Sequence, residues 1–219
     1  MAAFRGVVRS SPVVSVGRQR RGLAYVSVLH GLVHVLELSY GVVLVSVAED
    51  LGITLVTLGV LANVFGFAYG TMALPVGVMA DRASGTRLLG LCSLSVAGAA
   101  ILIGLAQGTV LLGIGMASLG IALGVFHPVA MTFVSRIATS TGLGFAYLGT
   151  GGNIGLALGP VVAGAIASSL GWRYAYGLMS VPALILGLLF LRLPVVARNV
   201  TETGESLPME VPPSIKPYV

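Results

Sequence analysis

Six long apolar runs, separated by short polar breaks, dominate the pattern of residues along the chain. A helix that spans a bilayer needs about 20 mostly apolar residues, and each run meets that length. The predicted spans are 23–47, 54–80, 88–106, 109–135, 142–169 and 174–193. The breaks are AED at 48–50, ADRASGTR at 80–87, Gln107-Gly108, SRIATSTG at 135–142 and LGWR at 170–173. The pattern predicts an all-α membrane protein with six transmembrane helices.

The composition excludes a soluble protein. Hydrophobic residues make up 56% of the 219 residues, and charged residues only 9%. The mean hydropathy is +1.01. A soluble domain carries about a quarter charged residues, so this chain has too few to cover a surface that faces water. The lipid bilayer is therefore its predicted environment.

The basic residues predict the orientation in the membrane. All but one of the 12 lie on the side of the breaks that the two termini share. They are Arg5, Arg9, Arg18, Arg20, Arg21, Arg82, Arg87, Arg136, Arg192, Arg198 and Lys216. Arg173 falls on the other side, together with Glu49 and Asp50. The positive-inside rule then places both termini in the cytoplasm, and we expect a multi-pass protein of the inner (plasma) membrane. Basic residues scattered along the membrane boundary do not favour nucleic-acid binding.

Two polar segments flank the six-helix bundle predicted for 23–193. Residues 1–22 contain five arginines and no acidic residue, which fits a cytoplasmic tail. A transit peptide is the alternative, since such peptides are rich in Arg and poor in acids. Residues 194–219 contain Pro, Glu and Ser without periodicity, so we expect a disordered cytoplasmic tail or a truncated linker to a further bundle.

A short internal repeat indicates two three-helix units. PVGVMADRASGTR begins at Pro75 near the end of the second span, and PVVAGAIASSLGWR begins at Pro160 near the end of the fifth. Because three spans form each unit, the second unit is inverted in the membrane relative to the first. Inverted repeats of this kind are typical of secondary transporters. Chance similarity between helix ends rich in Gly and Ala is the alternative.

Three ionisable residues interrupt the first span, in the stretch HGLVHVLELSY. His30, His34 and Glu37 are spaced i, i+4 and i+7, which places them on one face of a helix. Glu37 lies about 21 Å along the helix from Leu23, near the middle of a hydrocarbon layer of about 30 Å. A charged group there costs about 3 kcal/mol and seldom faces lipid. We expect this face to line a path for substrate and protons. A structural hydrogen bond from Glu37 to His34 or to another span is the alternative.

The sequence gives little indication of an enzyme. It contains no nucleophile and acid/base pair at catalytic spacing and no glycine-rich phosphate loop followed by Lys-Ser/Thr. His30-x3-His34 has a spacing compatible with a metal ion, but a single pair is weak evidence. We therefore expect neither an enzyme nor a cofactor nor a metal.

The break after the second span resembles the conserved cytoplasmic loop of the major facilitator superfamily, G-x-L-A-D-R-x-G-R-[KR]. The matching residues are Gly77, Ala80, Asp81, Arg82, Gly85 and Arg87. One extra residue before Gly85, and Thr86 before Arg87, depart from the family pattern. The resemblance implies a conformational loop that latches against the other half of a transporter.

GVFHPVAMTFVSR at 124–136 and GGNIGLALGPVVAG at 151–164 resemble the fosmidomycin-resistance branch of that superfamily. The resemblance suggests His127 and Asn153 as further residues of the substrate path, with a histidine bonded to a neighbouring carbonyl as the alternative for His127. It implies packing or bending roles for four residues of spans four and five. These are Pro128, Gly155, Gly159 and Pro160. Two departures are Val129, where the branch often has an acid, and Met116, near the superfamily's frequent arginine.

The resemblance covers about 23–193, which is the N-terminal half of a fold built from two six-helix bundles. It implies a secondary active transporter, or its N-terminal half, that exports a small molecule in exchange for protons by alternating access. A second six-helix bundle is then needed, from a separate chain or a homodimer. The alternative is a membrane scaffold or assembly protein without transport, or a truncated fragment, built on the same bundle.

Overall fold

The structure, a computed structural model, describes residues 16–194, except for the side chains of residues 73, 74 and 81. This range forms six α-helices that are long and apolar enough to cross a membrane, as the hydropathy pattern predicts. They are α1 (Val16–Leu51), α2 (Leu55–Arg82), α3 (Gly85–Gly104), α4 (Thr109–Ile137), α5 (Thr141–Leu170) and α6 (Trp172–Arg192).

Helix α1 differs most from its predicted bounds. It begins at Val16, before the predicted span at 23–47, and it continues through the polar break at 48–50. Hydropathy marks only the part of a helix that hydrocarbon surrounds, and a helix can continue into water beyond it. Residues 1–15 and 195–219 of the two predicted tails lie outside the described range.

Turn and capping residues separate the helices. Thr54 caps α2 by accepting a hydrogen bond from the Thr57 amide at 3.2 Å, and Ser140 caps α5 in the same way. Gly171 joins α5 to α6 with φ +101°, a backbone conformation that side-chain-bearing residues rarely adopt. Short connections of this kind force neighbouring helices to run in opposite directions.

The helices pack as three principal pairs, which are α1 with α5, α2 with α4, and α3 with α6. The proposed repeat relates α1 to α4, α2 to α5 and α3 to α6. Under this exchange the α1–α5 pair becomes the α4–α2 pair, and the α3–α6 pair is unchanged. This pairing agrees with the two inverted three-helix repeats predicted from the sequence.

Polar contacts tie the helix ends together on each side of the bundle. At one end, Gln19 donates to Thr139 at 3.2 Å, and Arg136 donates to the Ala83 carbonyl at 3.4 Å. At the other end, Arg173 forms an ion pair with Asp50 at 2.6 Å. The start of α1 and the break after α4 therefore share one end, opposite Arg173.

Glycines bring the paired helices into close contact. A Cβ on Gly155 of α5 would overlap the Gly31 carbonyl oxygen of α1, and one on Gly151 would overlap that of Ser27. In the α4–α2 pair, Gly124 faces the Tyr69 carbonyl in the same way. Backbones that approach this closely gain packing contacts, which drive helix association in lipid.

Helices α2 and α5 bury much less of their apolar surface than the others. Within the most apolar stretch of each helix, only 11% of the residues of α2 and 17% of those of α5 are buried, against 39–50% in the other four helices. Large apolar side chains are exposed on both, among them Phe67 on α2 and Val161 on α5. The bundle thus has two sparsely covered helices.

Replacing Gly155 with Ala tests the α1–α5 packing. The new methyl group overlaps the Gly31 carbonyl, so we expect Gly155→Ala to lower stability by roughly 1–3 kcal/mol. Thermal unfolding in detergent measures the change as a drop in Tm. Gly149→Ala is the matched control on the same helix, because nothing lies within 4 Å of its added Cβ. Equal Tm values for both variants would contradict the close packing.

Candidate functional site

All 3 histidines of the chain meet inside the bundle. His30 and His34 come from α1 and His127 comes from α4. Their ring centroids are 4.7 Å apart for His30 and His34, 5.2 Å for His30 and His127, and 5.6 Å for His34 and His127. One nitrogen of each ring lies within 4.8 Å of one nitrogen of the other two. We call these three residues the histidine cluster.

A continuous row of hydrogen bonds runs through two of the histidines to Glu37. Nδ1 of His30 lies 2.8 Å from the Leu148 carbonyl oxygen of α5. Nε2 of His30 lies 3.0 Å from Nε2 of His34, and Nδ1 of His34 lies 2.9 Å from Oε2 of Glu37. This row, from Leu148 to Glu37, is called the His–Glu chain below.

The donors and acceptors of the His–Glu chain fix how many protons it holds. A carbonyl oxygen only accepts, so Nδ1 of His30 carries a proton and donates it to Leu148. Each of the other two contacts also needs one proton. The His–Glu chain therefore holds three shared protons, which is one more than two neutral imidazoles and a carboxylate would hold. Its net charge is then zero. Release of one proton would leave one of these three contacts without a hydrogen to share, so the row of hydrogen bonds and its proton content are linked.

Glu37 is the end of the His–Glu chain that borders a cavity. Its side chain is 33% exposed, against 16% for His34. It lines a cavity of about 180 Å³ together with Tyr40, Phe65 and Met116. Met116 therefore gives this cavity an apolar wall near the position where the superfamily often has an arginine. The cavity gives the carboxyl group a route to water or solutes.

Neighbouring helices position the histidine rings. Gly152 of α5 lies directly against His30, and a Cβ there would be 2.6 Å from Cε1 of the imidazole. The missing side chain is what allows His30 to reach the Leu148 carbonyl. On the opposite side, Tyr69 Oη of α2 lies 3.0 Å from Nδ1 of His127, and Phe126 packs against both His30 and His127.

Every helix packed around the His–Glu chain contributes a defined polar group. Helix α2 provides Tyr69, α4 provides His127, and α5 provides the Leu148 carbonyl. Tyr40, one turn beyond Glu37 on α1, donates to the Leu58 carbonyl at 2.8 Å, and Tyr176 of α6 lines the same cavity as Glu37. Among the described groups of the His–Glu chain and its neighbours, Glu37 is the only carboxylate.

The other residues singled out in the sequence lie away from the cluster. Asn153 is exposed on α5 and makes no hydrogen bond to the histidines. Gly159 is a contact with α1, since a Cβ there would be 3.1 Å from Cα of Val35. Pro128 and Pro160 lie inside α4 and α5 without ending them.

The loop that resembles the family motif lies at the end of α2 that Arg136 contacts. Gly77 and Arg82 belong to the last turns of α2, and Gly85 and Arg87 to the first turn of α3. Arg136 donates to the Ala83 carbonyl between them. The side chain of Asp81 lies outside the described groups.

A larger groove lies between α1, α5 and α6, with a volume of about 490 Å³. Its walls are mostly apolar and include Leu32, Ile154 and Met179. None of the three histidines lines it, and neither does Glu37. Of the described ionisable residues of the His–Glu chain, Glu37 lines the smaller cavity, and none lines this larger groove.

Sequence reasoning missed Tyr69, Leu148 and Gly152 as parts of the site. Leu148 contributes only a backbone carbonyl, which every residue has, so no sequence signal marks it. Gly152 stands in the GGN segment, where its glycine is explained equally well by packing. An aromatic residue such as Tyr69 is common in apolar spans and gave no indication of its histidine partner.

Replacing Gly152 with Ala should displace the imidazole of His30. The added methyl group occupies space 2.6 Å from the ring, so the bond to Leu148 is lost. Side-chain ¹⁵N spectra of histidine-labelled protein measure this, because only 3 histidines contribute. We expect the Nδ1–H signal of His30 to lose its hydrogen-bonded shift in Gly152→Ala and to keep it in Gly149→Ala. An unchanged spectrum in both variants would contradict the described contact.

Comparison with known proteins agrees with this architecture. No curated protein sequence matches the chain. Among solved structures, the chain is similar to a bacterial homologue of the human lysosomal transporter Spinster, in an inward-facing and unoccupied conformation. The TM-score is 0.71 at 16% sequence identity, with 86% of this chain and 47% of that chain covered. The chain therefore spans about half the length of that protein, and the likeness shows the fold.

The sequence profile of the Major Facilitator Superfamily matches residues 26–217. This range includes all of α2 to α6 and most of α1. It contains the three histidines, Glu37 and the loop after α2. The chain is thus a multi-pass membrane protein that belongs to the Major Facilitator Superfamily.

Proposed function

We propose that the chain is the N-terminal half of a secondary active transporter that exports a small molecule in exchange for protons. The observation that carries the proposal is the His–Glu chain, in which Glu37 and His34 meet at 2.9 Å within a membrane-spanning helix. Ionisable groups at this depth are costly and are typical of ion and proton pathways.

Charge balance supports the coupling. With its extra proton, the His–Glu chain is neutral and can be enclosed in a low-dielectric interior at modest cost. Without that proton it carries a net negative charge, which favours a state in which Glu37 faces water. A substrate-driven change between open and closed states would then be linked to uptake and release of one proton. Such a link is what proton-coupled exchange needs.

The sparse burial of α2 and α5 supports a second six-helix bundle as the partner. These two helices expose large apolar side chains such as Phe67 and Val161. The solved relative is about twice as long as this chain. In our proposal a second bundle, from a separate chain or a second copy, covers α2 and α5 and closes the far wall of the cavity next to Glu37.

The motif of the fosmidomycin-resistance branch supports export as the direction and a small anionic compound as a first candidate substrate. His127 and Pro128 belong to that motif, and His127 lies in the cluster. Val129 and Met116 are apolar where relatives often carry charge, and both are buried. Those two residues favour the second candidate function, a scaffold built on the same bundle that transports nothing.

We propose that both termini are cytoplasmic and that the chain resides in the plasma membrane. The supporting observation is that Gln19 and Arg136 lie at one end of the bundle and Asp50 at the other. The end rich in arginine is the cytoplasmic one by the positive-inside rule.

Thiol labelling tests this orientation. In a Cys92→Ala background, Gln107→Cys and Thr139→Cys each introduce one exposed thiol, on opposite sides of the bundle. We expect a membrane-impermeant maleimide to label Gln107→Cys in intact cells and Thr139→Cys only after the cells are permeabilised. If Thr139→Cys is labelled in intact cells and Gln107→Cys only after permeabilisation, the proposed orientation is wrong.

Replacing Glu37 with Gln tests proton coupling. The amide keeps the size of the carboxyl group but cannot exchange a proton, so we expect coupled transport to stop. The measurement is fosmidomycin accumulation in acidified everted vesicles prepared from the native membrane, which retains any second bundle. Glu49→Gln is the matched control, because Glu49 is an exposed carboxylate near the end of the same helix. Glu49→Gln should accumulate the drug like the wild type.

Two different results would each contradict one part of the proposal, namely the coupling role of Glu37 or the choice of fosmidomycin as substrate. If Glu37→Gln accumulates fosmidomycin at the wild-type rate with unchanged dependence on pH, Glu37 does not couple protons. If wild-type vesicles accumulate no more drug than vesicles without the chain, fosmidomycin is not the substrate. If a panel of small anions also fails, the scaffold function is favoured.

A further inference from the structure

The histidine cluster has a second chemical capacity, which is metal coordination. We propose that His30, His34 and His127 form a binding site for one divalent transition-metal ion of the Zn²⁺ or Co²⁺ class. Metal binding at this site does not depend on transport. The sequence has only 3 histidines, and the structure brings one nitrogen of each within 4.8 Å of the others.

The α1 pair has the geometry of a two-ligand metal clip. His30 and His34 are four residues apart on one helical face, the spacing that many zinc sites use. Their Nε2 atoms are already 3.0 Å apart and face each other. When both Nδ1 atoms donate to oxygen, both Nε2 atoms present lone pairs to the same point in space. A cation at that point satisfies both lone pairs.

The outer partners of both rings fit a metal site. Ligand histidines almost always donate their second nitrogen to a carbonyl or a carboxylate, which fixes the ring and makes the ligand more basic. His30 has the Leu148 carbonyl at 2.8 Å, and His34 has Glu37 at 2.9 Å. A carbonyl on α5 and a carboxylate on α1 therefore already hold the second nitrogens of the two rings.

His127 supplies the third ligand from another helix. Tyr69 Oη lies 3.0 Å from its Nδ1, so the hydroxyl can accept Nδ1–H and leave Nε2 for the metal. Tetrahedral zinc with bonds of 2.0–2.1 Å holds its ligand nitrogens about 3.4 Å apart. The structure brings one nitrogen of each ring within 4.8 Å of the others, so the rings must move closer together to hold the ion.

The ligand set also selects the class of ion. Three imidazoles suit Zn²⁺, Co²⁺, Ni²⁺ and Cu²⁺, whereas Mg²⁺ and Ca²⁺ prefer oxygen ligands. Three histidines with an open fourth position resemble zinc sites that keep one position for water or a solute. The carboxylate of Glu37 offsets part of the ion's charge through His34, and Phe126 forms an apolar wall. The metal takes the place between the two Nε2 atoms that a proton occupies in the His–Glu chain.

Cobalt titration of the full chain in nanodiscs tests the site, with the protein purified through a tag that contains no histidine. We expect one Co²⁺ per chain, a visible spectrum of a tetrahedral or five-coordinate ion with nitrogen ligands, and displacement by Zn²⁺. His127→Asn should weaken binding by at least about 100-fold, because it removes a ligand. Glu37→Gln should weaken it by about 10-fold, because changing the hydrogen-bond partner of a ligand histidine costs about 10–100-fold in metal affinity.

Controls separate a lost ligand from a lost fold. Metal-free His127→Asn should keep the helix content of the wild type by circular dichroism, and Glu49→Gln should bind Co²⁺ like the wild type. The proposal is overturned if the wild type binds no Co²⁺ stoichiometrically. It is also overturned if His127→Asn and His34→Asn both bind like the wild type, because the ion then sits elsewhere. Either failure leaves the transport result for Glu37→Gln unaffected, so the two proposals can fail independently.

Discussion

A hydrocarbon layer offers no water to hydrogen-bond with, and this constraint governs how the ionisable groups of the chain are placed. His30, His34 and Glu37 lie within the first span, and each finds a partner inside the protein. The result is a row of hydrogen bonds that crosses from α5 to α1 and ends at a cavity. An isolated carboxylate at this depth would cost several kcal/mol, and its neighbours here reduce that cost.

The close packing of the helices makes this row possible. Glycines at 151, 152 and 155 let α5 approach α1 until their backbones are in contact. Only at that distance does the Leu148 carbonyl come within 2.8 Å of His30. The glycines that a membrane protein needs for helix association therefore also determine the hydrogen bonding of its central histidine.

The pairing of helices explains how the bundle can pack tightly while two of its helices stay sparsely buried. The pairs α1–α5 and α4–α2 exchange under the internal repeat, and α3–α6 completes the bundle. Helices α2 and α5 remain sparsely buried, next to the helices that carry the histidine cluster. A bundle with this distribution has a buried core and two helices whose apolar side chains are largely exposed. The proposed proton and metal sites both lie in the histidine cluster.

The sequence by itself determined the six spans, the all-α class and the family. Those features follow from local physics, because about 20 apolar residues are enough for a span and the loop after α2 carries a recognisable motif. It also placed His30, His34 and Glu37 on one helical face, since that follows from the helical repeat alone. The exact start of α1 at Val16 was missed, because hydropathy reports the bilayer and not the helix.

Only the tertiary structure decided what that face meets. His127 joins His30 and His34 because α4 packs beside α1, and its distance along the chain gave no indication of this. The Leu148 carbonyl and Gly152 enter the site through backbone geometry, which a sequence does not display. Asn153, a polar residue on the same helix as Gly152, points elsewhere. A contact between helices depends on their rotation and separation, and those are set by the packing of the whole bundle.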